Sequence, residues 1–572
     1  MKDLANSHEG PSGNMYTYQE DKKSNIIESN ALRRSLGGNN PNLNPNYNIP
    51  ENVPLRAGQD LSPDTVTIHI DQSPPLYWMF FIVFMIIQII ILLFIGFYYQ
   101  WDDDYTSPKS INTNSTNNLT LLTDFLYNDT NTYGHIKYKY KLFQEVNIMI
   151  FFGFGFLRAF LKHYSWTAVA LTLIAGILSI EFGLFTLICW SAIFDVDWHY
   201  GKFNFHHLLD ANMCAGAVII SLGTILGKIS MPQYLILILT ETITVTLNYT
   251  LLRQVLKIID VGGTLTMHLY GALFGGIFSF ITFFSKNEQK RIRESRHLGS
   301  TYYSNIFAII GNLILISYFP AFNTSLINDD LYRTIVKGNL LKIKPKFEGM
   351  INTYFALIGS IIGTFCTSPF LNNGKLVLQD ILNSSFSGGI AVGGCCHLIN
   401  HYWVSIIFGL FTGGATTFLS NFCSKKLNLD VYHDTANVIY YHGIPGLIGG
   451  IFTTIFVGNM PKIVNDNRKK KYVYQYIGTF LNYCNNNSSG YNDTDINNFG
   501  RYAGVHFSAI FITIAVALAC GFLAGFSIKF CNCNIALRYF NDSEFFDVND
   551  TEPFPWKDEN IKLELEYNPR NI

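Results

Sequence analysis

Charge is scarce in this chain. Only 14% of the 572 residues are Asp, Glu, Lys or Arg, against roughly 25% in soluble globular proteins. The 40 basic and 41 acidic residues leave a formal net charge of -1. That balance says nothing about a charged partner, and no nucleic-acid partner is expected. The ten cysteines show no paired spacing, which excludes a disulfide scaffold of the small secreted kind. Cys531 and Cys533 follow the last apolar stretch and are read as free thiols or as acylation sites at a membrane border. Neither a phosphate-cradling glycine loop nor a nucleophile elbow is present, so no enzyme activity is expected. No cofactor or metal is expected either. Met1-Lys2-Asp3 leads into polar sequence without an early apolar run, so no signal peptide is expected.

Apolar residues are abundant, 49% of the chain. They come in blocks of about 20, the length a helix needs to cross the hydrocarbon core of a bilayer. Twelve spans are predicted, at 76–99, 143–162, 166–190, 207–227, 232–257, 262–284, 302–320, 349–367, 377–398, 402–422, 436–458 and 505–529. The fold class is therefore all-α, a polytopic membrane protein. Residues 1–75 are polar and rich in Asn, Pro and Ser, and read as a disordered tail. Residues 76–530 form the membrane domain, and 531–572 a second, acidic tail. Glycine pairs such as Gly388-Gly389, Gly393-Gly394 and Gly413-Gly414 let helix backbones approach closely, as a tight bundle around a narrow conduit requires.

Short basic loops set the orientation. Lys162, Lys228, the run from Lys286 to Arg296, Lys375, Lys425, Lys426 and Lys529 all fall on one side, which is expected to be the cytoplasm. An even number of spans puts both tails there. Two loops, with Arg333 to Lys346 and Lys462 to Lys471, would carry basic residues outside. The six concordant short segments decide the assignment.

One pattern occurs twice. Asp260-x7-His268-x6-Gly275-Gly276-Ile277-Phe278 recurs as Asp434-x7-His442-x6-Gly449-Gly450-Ile451-Phe452. A histidine inside an apolar span is often only a satisfied core residue. Two at equivalent repeat positions point to a site at the repeat interface near the midplane. Neutral imidazole has one donor and one acceptor, which suits a small neutral molecule better than a bare cation. Each aspartate precedes its histidine by eight residues, roughly 12 Å if the interval is helical. Asp260 is either a structural acid fixing a helix start or an electrostatic lure for an ammonium-like cation. Asp434 is expected to cap its helix near the cytoplasmic border, because the repeats should be inverted. Glu181 and Glu241 lie mid-span and are read as hydrogen-bonded interhelical carboxylates or as stations on a proton path.

His-Gly-Ile-Pro-Gly-Leu-Ile-Gly-Gly at 442–450 and Asp-Val-Gly-Gly-Thr-Leu-Thr-Met-His at 260–268 resemble the Rhesus (Rh) branch of the ammonium transporter superfamily. So do Phe-Gly-Phe-Gly-Phe at 152–156, Leu-Gly-Lys-Ile-Ser at 226–230, Phe-Pro-Ala-Phe-Asn at 319–323, Ile-Asn-Thr-Tyr at 351–354 and Gly-Gly-Ile-Ala-Val-Gly at 388–393. The order of these motifs follows the family over nearly the whole membrane region. The asparagine-rich loops and tails resemble those of malaria-type parasite proteins.

The resemblance implies an ammonium-transporter-like bundle of twelve helices with an inverted internal repeat, assembled as a homotrimer in the plasma membrane. It implies conduction of ammonia, with methylammonium as an analogue, past His268 and His442. The family's outer gate is a pair of stacked phenylalanines. One position matches Phe322; the other holds Met213. The outer recruitment acid of animal relatives falls on Tyr249, and two acids of their cytoplasmic vestibule fall on Asn305 and Val377. Two alternatives stand beside this reading: an electrogenic or proton-coupled ammonium carrier, and a membrane haem protein with both histidines as axial ligands.

Overall fold

A computed structural model describes residues 74–98, 100–101, 140–196, 202–203, 205–327, 345–399, 401–426, 433–464, 498–530 and 539–546. The expected N-terminal tail lies outside the described residues but for its last two positions, as does most of the acidic C-terminal tail. Cys484, Cys531 and Cys533 also lie outside them.

Helices occur at all twelve predicted spans. They are α1 (Pro74–Tyr98); α2 (140–158), which includes a π turn at Ile148–Gly153; α3 (Ser165–Ile193); and α4 (Phe205–Ile225). Next come α5 (Met231–Tyr249), running on through a π turn at Thr250–Val255, and α6, a π turn at Thr264–Leu269 followed by Tyr270–Thr282. The short α7 (Lys286–Arg293) carries the basic run. The second half has α8 (Tyr302–Asn323), α9 (Pro345–Leu371), α10 (Leu378–Ser384) and α11 (Ser387–Val392). It ends with α12 (Tyr402–Lys426), α13, a π turn at Ile439–Gly443 followed by Ile444–Val464, and α14 (Asn498–Phe530). Among the described residues, nine helices are long and apolar enough to cross a membrane. The only strands described are β1 (Gln100–Trp101) and β2 (Lys202–Phe203), a two-residue parallel pair.

Local sequence explains the helix starts. Ser230 and Gln233 form a capping box ahead of α5, with a proline in the first turn. Thr301 and Ser304 do the same for α8. Inside the bundle, hydroxyls return to their own helix, as Thr242 Oγ1 does to Ile238 O at 2.6 Å, so no polar atom need face lipid. Helices α9 and α12 meet through glycines: a Cβ on Gly363 or Gly413 would strike the backbone of Leu410 or Ser360.

The ninth predicted span is not one continuous helix. It breaks between Ser384 and Ser387 into α10 and α11, and turns again at Gly393. Ser360 Oγ lies 2.9 Å from Ser384 O and 2.5 Å from Ser385 O, so its one proton is shared between carbonyls that the break frees. Broken backbone at membrane depth is tolerated where it is buried in protein.

One piece of the expected C-terminal tail is seated on the bundle. Phe540 is fully buried and its N–H donates to Gly227 O at 2.9 Å. Asp542 accepts from the N–H (2.8 Å) and hydroxyl (2.6 Å) of Thr167 in the first turn of α3. Burial pushes the Asp542 carboxyl above its ordinary range, against the pull of those hydrogen bonds.

Candidate functional site

The repeated pattern folds into the same turn twice. Asp260 sits four residues and Asp434 five residues before a π turn, and the residue three places on is left-handed: Gly263 at φ +68° and Asn437 at φ +53°. Glycine and asparagine are the residues that adopt this region most readily. Asp260 Oδ2 accepts from Leu265 N (3.1 Å), Thr266 N (2.9 Å) and Thr266 Oγ1 (2.9 Å). Asp434 Oδ2 accepts from Ile439 N at 3.0 Å, the residue equivalent to Leu265. Both carboxylates thus cap the first amides of a helix, where the backbone lacks intrahelical partners.

Each turn also docks onto the other half of the chain. Gly262 N donates to Gly393 O at 2.9 Å, and Ala436 N donates to Gly223 O at 3.1 Å. Seven residues after each histidine, the backbones close up in matching fashion. A Cβ on Gly275 would meet the backbone of Ser221, two residues before Gly223. A Cβ on Gly449 would meet the backbone of Ala391, two residues before Gly393. The halves are an inverted repeat, interlocked through these contacts. The interval from Asp260 to His268 is correspondingly not two helical turns. Its first half is the capped turn, so the roughly 12 Å of continuous helix does not describe it.

The two histidines meet. His268 Nδ1 and His442 Nδ1 are 3.1 Å apart, with ring centroids at 5.3 Å and planes within 10°. His268 stacks on Phe319 (6.1 Å, 14°), and Phe319 packs edge-on against Phe322 (6.1 Å, 71°). His442 lies against Phe386 (5.4 Å) and Phe154 (5.9 Å). His268 Nε2 is buried without a hydrogen-bond partner in the protein.

The mouth on the Asp260 side holds the remaining predicted residues. Phe322 is fully buried, and Met213 turns its sulfur toward Gly263. The Tyr249 hydroxyl donates to Asp210 Oδ1 at 2.5 Å, and the Arg253 guanidinium lies over the Tyr249 ring at 5.3 Å. Asp434 is not at this mouth. It lies at the opposite, basic face, near Lys228, whose ammonium donates to His433 O at 2.6 Å. Burial, aided by Lys228 and Arg293, holds the His433 imidazole down at about 3, so it is uncharged at neutral pH.

From the basic face a cleft reaches His442. Its lining includes Phe154, Arg158, Asn305, Gln379, Asn383, Asn437 and Tyr441. Asn305, one of the two departures from relatives' vestibule acids, lies in this cleft; the other, Val377, precedes α10. Glu241 accepts a short hydrogen bond from Ser221 Oγ between α5 and α4, as an interhelical carboxylate should.

Sequence reasoning missed Asp210, Arg158, Phe319 and Phe386. Asp210 precedes Met213 by three residues on one helix face, a spacing that could have found it. The others face the site through tertiary packing alone. Phe319 and Phe154 at least stood within the quoted motifs.

Two inverted half-bundles that each deliver one histidine to a buried point, with a cleft leading there, define a membrane transport protein rather than an enzyme. The sequence profile described as the Ammonium Transporter Family matches residues 116–549, and the chain belongs to that family, within its Rh branch. Ammonium transporter Rh type B-B of Xenopus laevis is 30% identical over 382 residues, covering 62% of this chain and 76% of the relative. Ammonium transporter Rh type C of Oryctolagus cuniculus is 26% identical over 487 residues, covering 83% of this chain and 92% of the relative. The solved structure of Nitrosomonas europaea Rh50 has a TM-score of 0.57 at 21% identity, covering 76% of this chain and 97% of that one. Saccharomyces cerevisiae Mep2 has a TM-score of 0.51 at 15% identity, covering 69% of this chain and 85% of that one. Both structures share this fold.

Proposed function

We propose that the chain is a channel conducting ammonia as neutral NH3, with methylammonium as an analogue, past His268 and His442. The observation that carries this reading is the 3.1 Å approach of two buried imidazole nitrogens. One proton fits in that contact, so the pair does not carry two charges. The free Nε2 of His268 leaves a polar edge among stacked rings. Such a lumen opposes a small cation by many kcal/mol, whereas NH3 gives up only a few hydrogen bonds.

Ammonium gives its proton to outside water at the mouth formed by Phe322, Met213, Tyr249 and Asp210, and ammonia takes one from cytoplasmic water beyond His442. The basic face is cytoplasmic by the loop charges, with both termini on that side, the bundle in the plasma membrane of a malaria-type parasite, and the protomers in a homotrimer. Asp260 and Asp434 are structural acids in this reading, because their carboxylates are committed to helix-start amides.

The haem alternative fits the geometry poorly. A metal between two imidazoles needs nitrogens roughly 4 Å apart, twice a metal–nitrogen bond, and the Nδ1 atoms are at 3.1 Å. The carrier alternative keeps two supporting observations, the buried and unpartnered Oε2 of Glu181 and Oε1 of Glu241. Stopped-flow recording of internal pH in proteoliposomes under an inward ammonia gradient tests the proposal. Rapid alkalinisation that His268→Leu and His442→Leu both slow supports it; alkalinisation indifferent to both substitutions removes the histidines from the pathway.

A further inference from the structure

The cleft on the basic face has an unusual charge for the approach to an ammonium-handling pore. Its lining holds one charged side chain, Arg158, and no carboxylate. Amides from Asn305, Gln379, Asn383 and Asn437 supply the rest of its polarity. Arg158 closes α2 and is only 5% exposed. Its Nη2 donates to Ile220 O at a long 3.4 Å, and its Nη1 is buried without any partner. The guanidinium lies 5.9 Å from the centroid of Phe154, the ring that packs on His442 at 5.9 Å, so the charge stands one ring away from the histidine pair.

Something must hold a guanidinium in so buried a place. Glu241 approaches from behind α4 without forming an ion pair with it. Arg158 binds Ile220 on one side of that helix, and the next residue, Ser221, donates to Glu241. The two groups influence each other electrostatically. The acid is kept out of the cleft while the base lines it, so neutrality of the pair does not cancel the field in the cleft. A single arginine beside a narrow conduit is a known physical means of excluding cations and protons.

We propose that Arg158 is a cation filter at the inner end of the pore. Its fixed charge turns ammonium and other small cations back before they reach His442, and leaves neutral ammonia unopposed. At an effective dielectric of about 20, a cation roughly 8 Å from a like charge is depleted by about thirtyfold. The filter guards one side only, and it lies behind the histidines for anything entering from the Asp210 mouth. This inference rests on the neutral-conduction reading.

The test uses the full chain in proteoliposomes, with ammonium-dependent current on a solid-supported membrane and internal pH recorded for the same preparation. The quantity read is current relative to alkalinisation, for wild type, Arg158→Lys, Arg158→Met and the double variant Arg158→Met with Glu241→Gln. The lysine keeps the charge and should keep the ratio low. The methionine should bring an ammonium current clearly above that of empty vesicles, at least about tenfold the wild-type background, and so should the double variant, which leaves no unpaired carboxylate. An unchanged ratio in Arg158→Met overturns the filter. A rise in the single variant that the double variant abolishes also overturns it, since bare Glu241 would then be attracting the cation. Should Arg158→Met not assemble, Arg158→Gln and the double variant give the same reading. If wild type itself carries ammonium current, neutral conduction fails, and the filter is then judged by whether loss of the arginine charge raises that current over wild type.

Discussion

In the first half of the molecule, Asp260 gathers three hydrogen bonds from Leu265 and Thr266, and the turn after it closes with a left-handed Gly263. In the second, Asp434 accepts from Ile439 and the turn closes with a left-handed Asn437. The architecture is the same, down to the amide that docks each turn onto the opposite half. The surroundings differ. His268 is fully enclosed, backed by Phe319, and its aspartate shares a mouth with Tyr249, Asp210 and Arg253. His442 opens to a cleft with one cation and no acid. Repetition builds the scaffold, and divergence at the two mouths sets what each side admits.

The shared scaffold is where the largest losses are expected. Gly275→Val and Gly449→Val each push a branched side chain into the facing backbone of Ser221 or Ala391. Each should destabilise by about 3 kcal/mol or more, beyond ordinary overpacking, because backbone cannot move aside. Thermal unfolding in detergent should show both variants lost alike. If one of them folds normally, the halves are not equivalent at this contact.

The caps come next. Asp260→Ala and Asp434→Ala should each cost about 1–3 kcal/mol, from a lost cap and stranded amides. Asparagine, which keeps an acceptor, should recover part of that. A drop in melting temperature with unchanged half-saturation for ammonium in the asparagine variants identifies a structural acid. A large rise in half-saturation confined to Asp260→Asn would instead make Asp260 a recruiter.

Between the histidines, replacement of either by leucine removes one hydrogen-bond partner from the lumen. A loss of about 1–1.5 kcal/mol corresponds to a roughly five- to tenfold slower ammonia flux. His442→Leu and His268→Leu should each slow inward and outward flux by the same factor, because a passive pore for a neutral molecule has one permeability for both directions. An effect confined to one direction would mean that passage is not passive conduction of neutral ammonia.

The smallest effect is expected at the other mouth. Met213 lacks the ring that a cation–π contact needs, and such a contact is worth roughly 0.5–2 kcal/mol. Met213→Phe with Tyr249→Glu should lower the half-saturation for ammonium by a few-fold and change maximal flux less. An unchanged half-saturation would leave capture to Asp210, whose carboxylate already occupies that mouth.

The repeat was legible because Asp, His and two glycines recur at identical spacing, and only glycine fits where helices touch backbone to backbone. The twelve spans were legible from apolar length alone. The turn inside the repeat was not. Gly263 and Asn437 share a backbone conformation but not a residue type, and their π turns depend on side-chain caps that periodicity does not register. The break in the ninth span was hidden for a similar reason, since Ser360 stabilises it from another helix. Arg158 and Asp210 escaped notice because each is an ordinary residue near a span end. Their meaning comes from what faces them: an acid-free cleft in one case, the Tyr249 hydroxyl in the other.

Neutral conduction is tested most directly by recording current and internal pH together in wild-type proteoliposomes, with ammonium varied at constant NH3. Passage of NH3 alone requires alkalinisation that follows the NH3 gradient, with no current above that of empty vesicles at any ammonium concentration. A current that grows with ammonium while NH3 is held constant contradicts it.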